Sequence, residues 1–183
     1  MLRDINLLYA SGSIFWSKLD ERETFSILKL GLDLGDGKRV FTSISNPNEK
    51  AHNFTKAGNK AIILGGWFDI WTKKDGSQDL QIKGYDSNIQ FYLPDAVIPA
   101  LNDVTIYGKV EAYESGIATI DCIGGKNPKT SEYTHRKILM NIGNDRDDPT
   151  GKKIFIKGSL DIEKIGDQSK VRIIADYDNI SVL

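Results

Sequence analysis

The chain is poor in the residues that carry most protein chemistry. Its 183 residues include one cysteine, Cys122, and two histidines, His52 and His135. A lone cysteine rules out an intramolecular disulfide and makes a reducing, cytoplasmic setting the expected one. His52 falls in a helix-like stretch and His135 in a polar hairpin, so no metal constellation with Cys122 is readable. Neither sign of charge is in excess: 24 Lys and Arg against 25 Asp and Glu leave a net charge of -1. Binding to nucleic acid or to an anionic membrane therefore needs a local patch rather than a global field. Long apolar runs are missing too. The opening MLRDINLLYASGS lacks the stretch a signal peptide needs, and no later segment is long enough to span a bilayer. Asn53-Phe54-Thr55 and Asn179-Ile180-Ser181 match the glycosylation pattern, but without a secretion signal chance is the better reading.

Catalytic patterns are absent as well. Cys122 alternates with Ile120 and is expected to be a small core residue rather than a nucleophile. Asp145, Asp147 and Asp148 cluster in NDRDDPTG without the ligand spacing or central glycine of a calcium loop, so a solvated turn is expected. Gly124-Gly125-Lys126 lacks the first glycine and the spacing of a phosphate-binding loop. With no acid–base pair to defend, the chain is expected not to be an enzyme and to need no cofactor.

Strand signals fill the space. Short runs rich in Ile, Val, Phe and Tyr alternate with polar residues and are bounded by turn formers. They predict strands over Tyr9–Trp16, Phe25–Leu34, Val40–Ser45, Ala61–Thr72 and Leu80–Leu93, then Val104–Ala112, Ile117–Ile123, Lys137–Ile142, Ile154–Ile162 and Val171–Val182. Gly35-Asp36-Gly37 and Asp75-Gly76 suit hairpin turns. Asn46–Asn59, with Pro47 early and Gly58 as a stop, is the one helix candidate. At an offset of 92 residues, ten positions between Lys60 and Asp86 are identical to positions in the second half, among them Lys60/Lys152, Ile62/Ile154, Gly66/Gly158, Asp69/Asp161, Ile70/Ile162 and Ile82/Ile174. Duplication is the better account, with one domain over residues 1–95, a Pro94–Asn102 linker and a second domain over 103–183. Five strands with a helix between the third and fourth is the order of the OB-fold. The expected architecture is therefore all-β: two tandem five-stranded Greek-key barrels, with a short helix between strands 3 and 4 of the first.

Gly151–Leu183 (GKKIFIKGSLDIEKIGDQSKVRIIADYDNISVL) resembles the last two strands of bacterial and phage single-stranded-DNA-binding proteins. The resemblance rests on Ile154-Phe155-Ile156-Lys157-Gly158, a polar hairpin, Ile173-Ile174-Ala175-Asp176 and then Ile180. It implies an OB-fold protein that covers exposed single-stranded DNA in replication or recombination, in the variant where one chain supplies two barrels. That family usually ends in a flexible acidic tail that recruits replication proteins. This chain stops on a predicted strand, so tail-mediated recruitment is not expected, whereas a homo-oligomer is possible.

Alternation along the fourth strand puts Ile62, Leu64, Gly66, Phe68 and Ile70 on one face and Ile63, Gly65, Trp67, Asp69 and Trp71 on the other, unless a bulge intervenes. The counterparts of Trp67 and Trp71 are Ser159 and Glu163, so these two rings are expected to point outward. Matching Gly12 with Gly108 places Trp16 inward and Phe15, opposite Glu111, outward. All three tryptophans and six of the seven phenylalanines lie in the first half. An outer aromatic row suits stacked bases, with cations tracking the phosphates. Lys73, Lys74, Lys38 and Arg39 flank it, and Lys129, Tyr133 and Arg136 sit in the long second-half hairpin. Three readings stay open: single-stranded DNA bound without strong sequence preference, a non-catalytic assembly protein whose aromatic row is a protein interface, and RNA binding.

Overall fold

A computed structural model describes residues 4–19, 26–46, 56–83, 88–126, 130–175 and 177–183. Twelve strands form one continuous sheet that closes on itself twice. Strands β1 (Ile5–Leu19), β2 (Ser26–Gly35), β3 (Lys38–Asn46), β4 (Lys60–Thr72) and β5 (Gln78–Lys83) pair in the order β1–β2–β3–β5–β4. The return pairing of β4 with β1 closes them into a five-stranded barrel, in which only β3 and β5 run parallel. A short β6 (Ile89–Tyr92) extends the sheet beside β4.

The same pairing order recurs downstream in β7 (Asn102–Glu114), β8 (Ile117–Lys126), β9 (Tyr133–Asn141), β10 (Lys153–Ile165) and β11 (Gln168–Ile174), again with one parallel pair, β9 with β11. β10 returns to β7, and β12 (Ile180–Val182), preceded by a 3-10 turn at Tyr177–Asn179, edges β10. The two circuits are fused where β1 runs antiparallel to β7, Ile5 opposing Tyr107 and Ala10 opposing Asn102.

Local details repeat as well. Leu8 opposes Gly66 and Val104 opposes Gly158. A register shift between Ile14 and Trp16 has its counterpart between Val110 and Ala112. The Asn6 side-chain amide donates to the Phe68 carbonyl at 2.8 Å, and that of Asn102 donates to the Leu160 carbonyl at 2.9 Å.

Alternation explains which side chains fill the two circuits. Leu28, Leu30 and Leu32 on β2, with Val40 and Ile44 on β3, are buried, as are Ile120, Ile138 and Met140 in the second circuit. Each fully buried Leu or Ile contributes about 1.5–3 kcal/mol. On β4, however, the inner row is Ala61 and Ile63 before it is Phe68, while Leu64 is exposed. Ile62 is buried, at 5%, but Leu64, expected inside, is exposed and Ile63, expected outside, is fully buried, because Gly65, at φ 81°, is an extra residue in the ladder. The pairing jumps from Leu8–Gly66 to Tyr9–Leu64, and a slip of one residue exchanges the faces. β10 has no such bulge, and Ile154, Ile156 and Leu160 are all buried. Ala61, opposite Gly12, therefore corresponds to Ile154, opposite Gly108. The β4–β5 hairpin also differs in length from the β10–β11 hairpin. Ile82, opposite Phe68, consequently corresponds to Ile173, opposite Leu160, and not to Ile174.

Two long strand expectations each divide in two. Leu80–Leu93 is β5 and β6, and Val171–Val182 is β11 and β12. Of the expected helix, Asn46 ends β3 and 56–59 form a turn, while 47–55 lie outside the described residues. No α-helix occurs among the described residues.

Candidate nucleic-acid interface

The outer face of β1, β2 and β3 carries a cluster of rings and cations. Phe15 is the extra residue of the β1 bulge, and the register resumes with Trp16 opposite Lys29. The bulge turns both aromatic side chains to solvent: Phe15 is 48% exposed and Trp16 49%. The expectation of a core Trp16 failed for this reason, and Ala112, behind the matching bulge of β7, is exposed as well. Phe41 projects outward from β3 between the inward Val40 and Thr42, and its ring meets that of Phe15 edge to face, with centroids 5.0 Å apart and planes at 83°. The Arg39 guanidinium lies 5.6 Å from the Phe15 centroid and the Lys29 ammonium 5.8 Å from that of Phe41. Both are within reach of a cation–π attraction.

Gly31 forms the floor. It opposes Phe41 on β3, and a β-carbon there would stand 2.8 Å from Cε2 of Phe15 and 2.7 Å from Cδ of Arg39. The ring and the guanidinium stem rest on backbone that any side chain would lift them from.

The outer row continues around the barrel. Lys29 opposes Ser43, Ser43 opposes Gln81, and Gln81 opposes Asp69. Two pairs along, Trp71 opposes Asp79 and stands 53% exposed. The hairpin after it holds Lys73, which pairs with Asp79 at 2.8 Å, and Lys74, which makes no ion pair among the described residues.

Trp67 has a different surrounding. Its ring stacks on Tyr133 of β9, with centroids 5.7 Å apart and planes at 13°. Beside it Arg136 pairs with Asp69 at 2.7 Å. The second circuit thus covers the outer face of β4 at Trp67 and leaves Trp71 open. Lys38 is likewise engaged, its ammonium 2.6 Å from Asp161 of β10. That hydrogen bond holds the Asp161 carboxyl below its ordinary value, against a smaller opposing effect of burial. Of the ten residues singled out from the sequence, Phe15, Arg39, Trp71, Lys73 and Lys74 lie on the open outer surface of the first barrel. Trp67, Tyr133, Arg136 and Lys38 lie at the junction of the circuits, and Lys129 falls outside the described residues.

No protein-family model matches the chain, and no curated protein matches it. Solved structures do. A deletion variant of the single-stranded DNA-binding protein from Thermus aquaticus superposes with a TM-score of 0.55 at 14% identity, covering 96% of this chain and 93% of that one. The chain shares its fold with that protein. Its closed five-stranded barrel is of the OB type that the strand order implied. The p204 HINb domain and a murine DNA-binding protein bound with double-stranded DNA align over 96% and 100% of this chain and 98% of each of theirs, at 9% and 11% identity. Their TM-scores of 0.28 and 0.23 carry no argument about fold.

Trp16, Phe41 and Lys29 were missed from the sequence. Phe41 was within reach of alternation, since Val40 and Ile44 mark the inner row of β3. Trp16 was not, because nothing in the composition of ASGSIFW announces a bulge. Buried Cys122 takes no part: desolvation, with the charge of Asp121 second, pushes its thiol up to about 12. Among the described residues no group of His, Cys, Asp and Glu could hold a metal ion.

Proposed function

We propose that the protein binds single-stranded DNA without strong sequence preference and covers exposed strand during replication or recombination. The observation that carries this is the outward band of Phe15, Trp16, Phe41 and Trp71, with cations at Lys29, Arg39 and Lys74. Bases stack on exposed rings whatever their identity, each worth about 1–3 kcal/mol, and ammonium and guanidinium groups neutralise the phosphates between them. On OB barrels the face of strands 2 and 3 and the loop between strands 4 and 5 are the usual oligonucleotide surface. Phe41, Lys29 and Arg39 lie on that face here, and Trp71, Lys73 and Lys74 at that loop.

In this reading the chain is a duplicated OB-fold, residues 1–95 providing the main binding barrel and residues 103–183 a second barrel. The aromatic side chains gathered in the first half then follow from function, since the second barrel closes the same way with Glu111 and Lys137 in place of Phe15 and Phe41. Trp67, Tyr133 and Arg136 hold the barrels together rather than meeting bases.

Fluorescence anisotropy of a labelled dT oligomer tests the proposal, with unlabelled duplex DNA and single-stranded RNA as competitors. Displacement by single-stranded DNA alone supports it. Displacement by RNA at equal concentration widens the ligand class to RNA. Absence of binding, together with a concentration-dependent change in particle size, assigns the aromatic band to protein assembly instead.

A further inference from the structure

A crevice of about 320 Å³ lies where the β4–β5 hairpin of the first barrel meets the outer face of β8, β9 and β11. Its floor is aliphatic: Leu139 and Ile117 are 56% and 40% exposed. Three cations line it, Lys137, Lys170 and Arg172, and no carboxylate does. Lys137 and Arg172 pair with Glu111 and Glu163 outside the crevice, whereas Lys170, which opposes Glu163 across β10 and β11, makes no ion pair among the described residues. The walls are held in place by contacts between the barrels. The Gln168 amide donates to the Asp75 carbonyl at 2.6 Å, and the Gln78 side-chain carbonyl accepts from the Val171 N–H at 3.1 Å.

The position of the crevice matches the aromatic band. Leu32 opposes Gly12 as Cys122 opposes Gly108, which makes Gly31 and Phe41 the counterparts of Asp121 and Lys137. Leu139, two residues on, stands where Ser43 stands in the first barrel. The face that carries the rings in the first barrel thus carries Lys137 and Leu139 of the crevice in the other. The crevice also lies along the strand that carries Trp71: Ile70 and Thr72, which line it, flank that residue on β4 with their side chains on the opposite face.

Resting on the reading of the band as a DNA site, we infer that this crevice takes one nucleotide of the same strand as it passes from Trp71 onto the second barrel. The base lies on Leu139 and Ile117, and its phosphate faces Lys170. A pocket near the lower end of the small-molecule range accepts one such unit and not a folded segment. The floor is apolar and the rim positive, a combination that fits the flat base and anionic phosphate of a nucleotide and disfavours a cationic or purely aliphatic group.

Leu139→Cys labelled with bimane tests this. The remaining cysteine is fully buried and its thiol protonated, so the label reports on the crevice alone. The probes are dT oligomers of about 6 and about 20 nucleotides, chosen to fill one barrel or both, and thymidine 5′-monophosphate. Both oligomers should quench tryptophan emission, but only the longer one should shift the bimane spectrum. Lys170→Glu in the unlabelled protein should weaken binding of the longer oligomer by about tenfold and leave the shorter one unchanged. Tryptophan quenching by both oligomers with a silent bimane and an unaffected Lys170→Glu variant would overturn the crevice and leave the band standing. A bimane response to the mononucleotide alone would also overturn it, marking a separate nucleotide site. Loss of tryptophan quenching in the wild type would overturn the band and the crevice together.

Discussion

Phe15 lies across the bare α-carbon of Gly31, with no room for a β-carbon between them. Phe15 leaves the barrel at a bulge, and its ring comes to rest where the opposing strand has no side chain. Gly31→Ala should lift Phe15 and Arg39 together, since both are the yielding ends of flexible side chains. Oligo-dT affinity should fall by about 1 kcal/mol, the lower end of a stacking contribution, while the thermal midpoint changes little. Calorimetric melting beside anisotropy titration checks both halves of that expectation.

The tryptophans divide by role. Trp71 and Phe41 are exposed, so replacing either by alanine should cost about 1–3 kcal/mol in oligonucleotide binding. Trp71→Ala should cost almost nothing in stability, and Phe41→Ala about 0.5–1.5 kcal/mol, from the loss of its pairing with Phe15. Trp67→Ala removes the stack on Tyr133, worth about 0.5–1.5 kcal/mol, and should lower the thermal midpoint. Its effect on dT binding should be smaller than that of Trp71→Ala. A larger effect would mean that Trp67 opens towards bases when DNA arrives.

Salt should act through few contacts. For single strands the logarithm of affinity falls with the logarithm of salt by about 0.7 per phosphate neutralised. Lys74→Ala should therefore flatten the slope by about 0.7, and Lys38→Ala, whose ammonium is engaged with Asp161, should leave it unchanged. Titrations at a series of salt concentrations separate the two.

The junction between the two circuits should weaken in acid. Lys38 holds the Asp161 carboxyl below its ordinary 3.8, so the folded state favours the ionised form more than the unfolded chain does. That stabilisation is fully present above 3.8 and is lost as pH falls through the lower folded value. Partly exposed pairs contribute about 1 kcal/mol or less. Asp161→Asn should thus melt slightly below the wild type at neutral pH, and the gap should close as the pH drops below 3.8. Thermal melts from pH 7 to pH 2 measure it.

Much of the fold was legible because its physics is local. Alternating apolar residues and turn glycines marked the strands, and the identities at Gly66/Gly158, Asp69/Asp161 and Ile70/Ile162 survive in the pairing register. Lys60/Lys152, Ile62/Ile154 and Ile82/Ile174 do not, because the Gly65 bulge and the longer β4–β5 hairpin each move the true correspondence by one residue. A bulge also hid one member of the candidate site. The inward assignment of Trp16 followed from strict alternation, and one inserted residue reverses it. Trp67 was placed on the correct face, but only tertiary packing shows that Tyr133 already occupies it.

The most direct measurement is tryptophan emission during titration with an oligo-dT of about 20 nucleotides, a length chosen to cover both barrels. The account predicts saturable quenching in the wild type, retained in Trp67→Phe and reduced in both Trp16→Phe and Trp71→Phe, because those two rings stand open on the first barrel. An unchanged spectrum at micromolar oligonucleotide, or quenching that disappears only with Trp67, would contradict it.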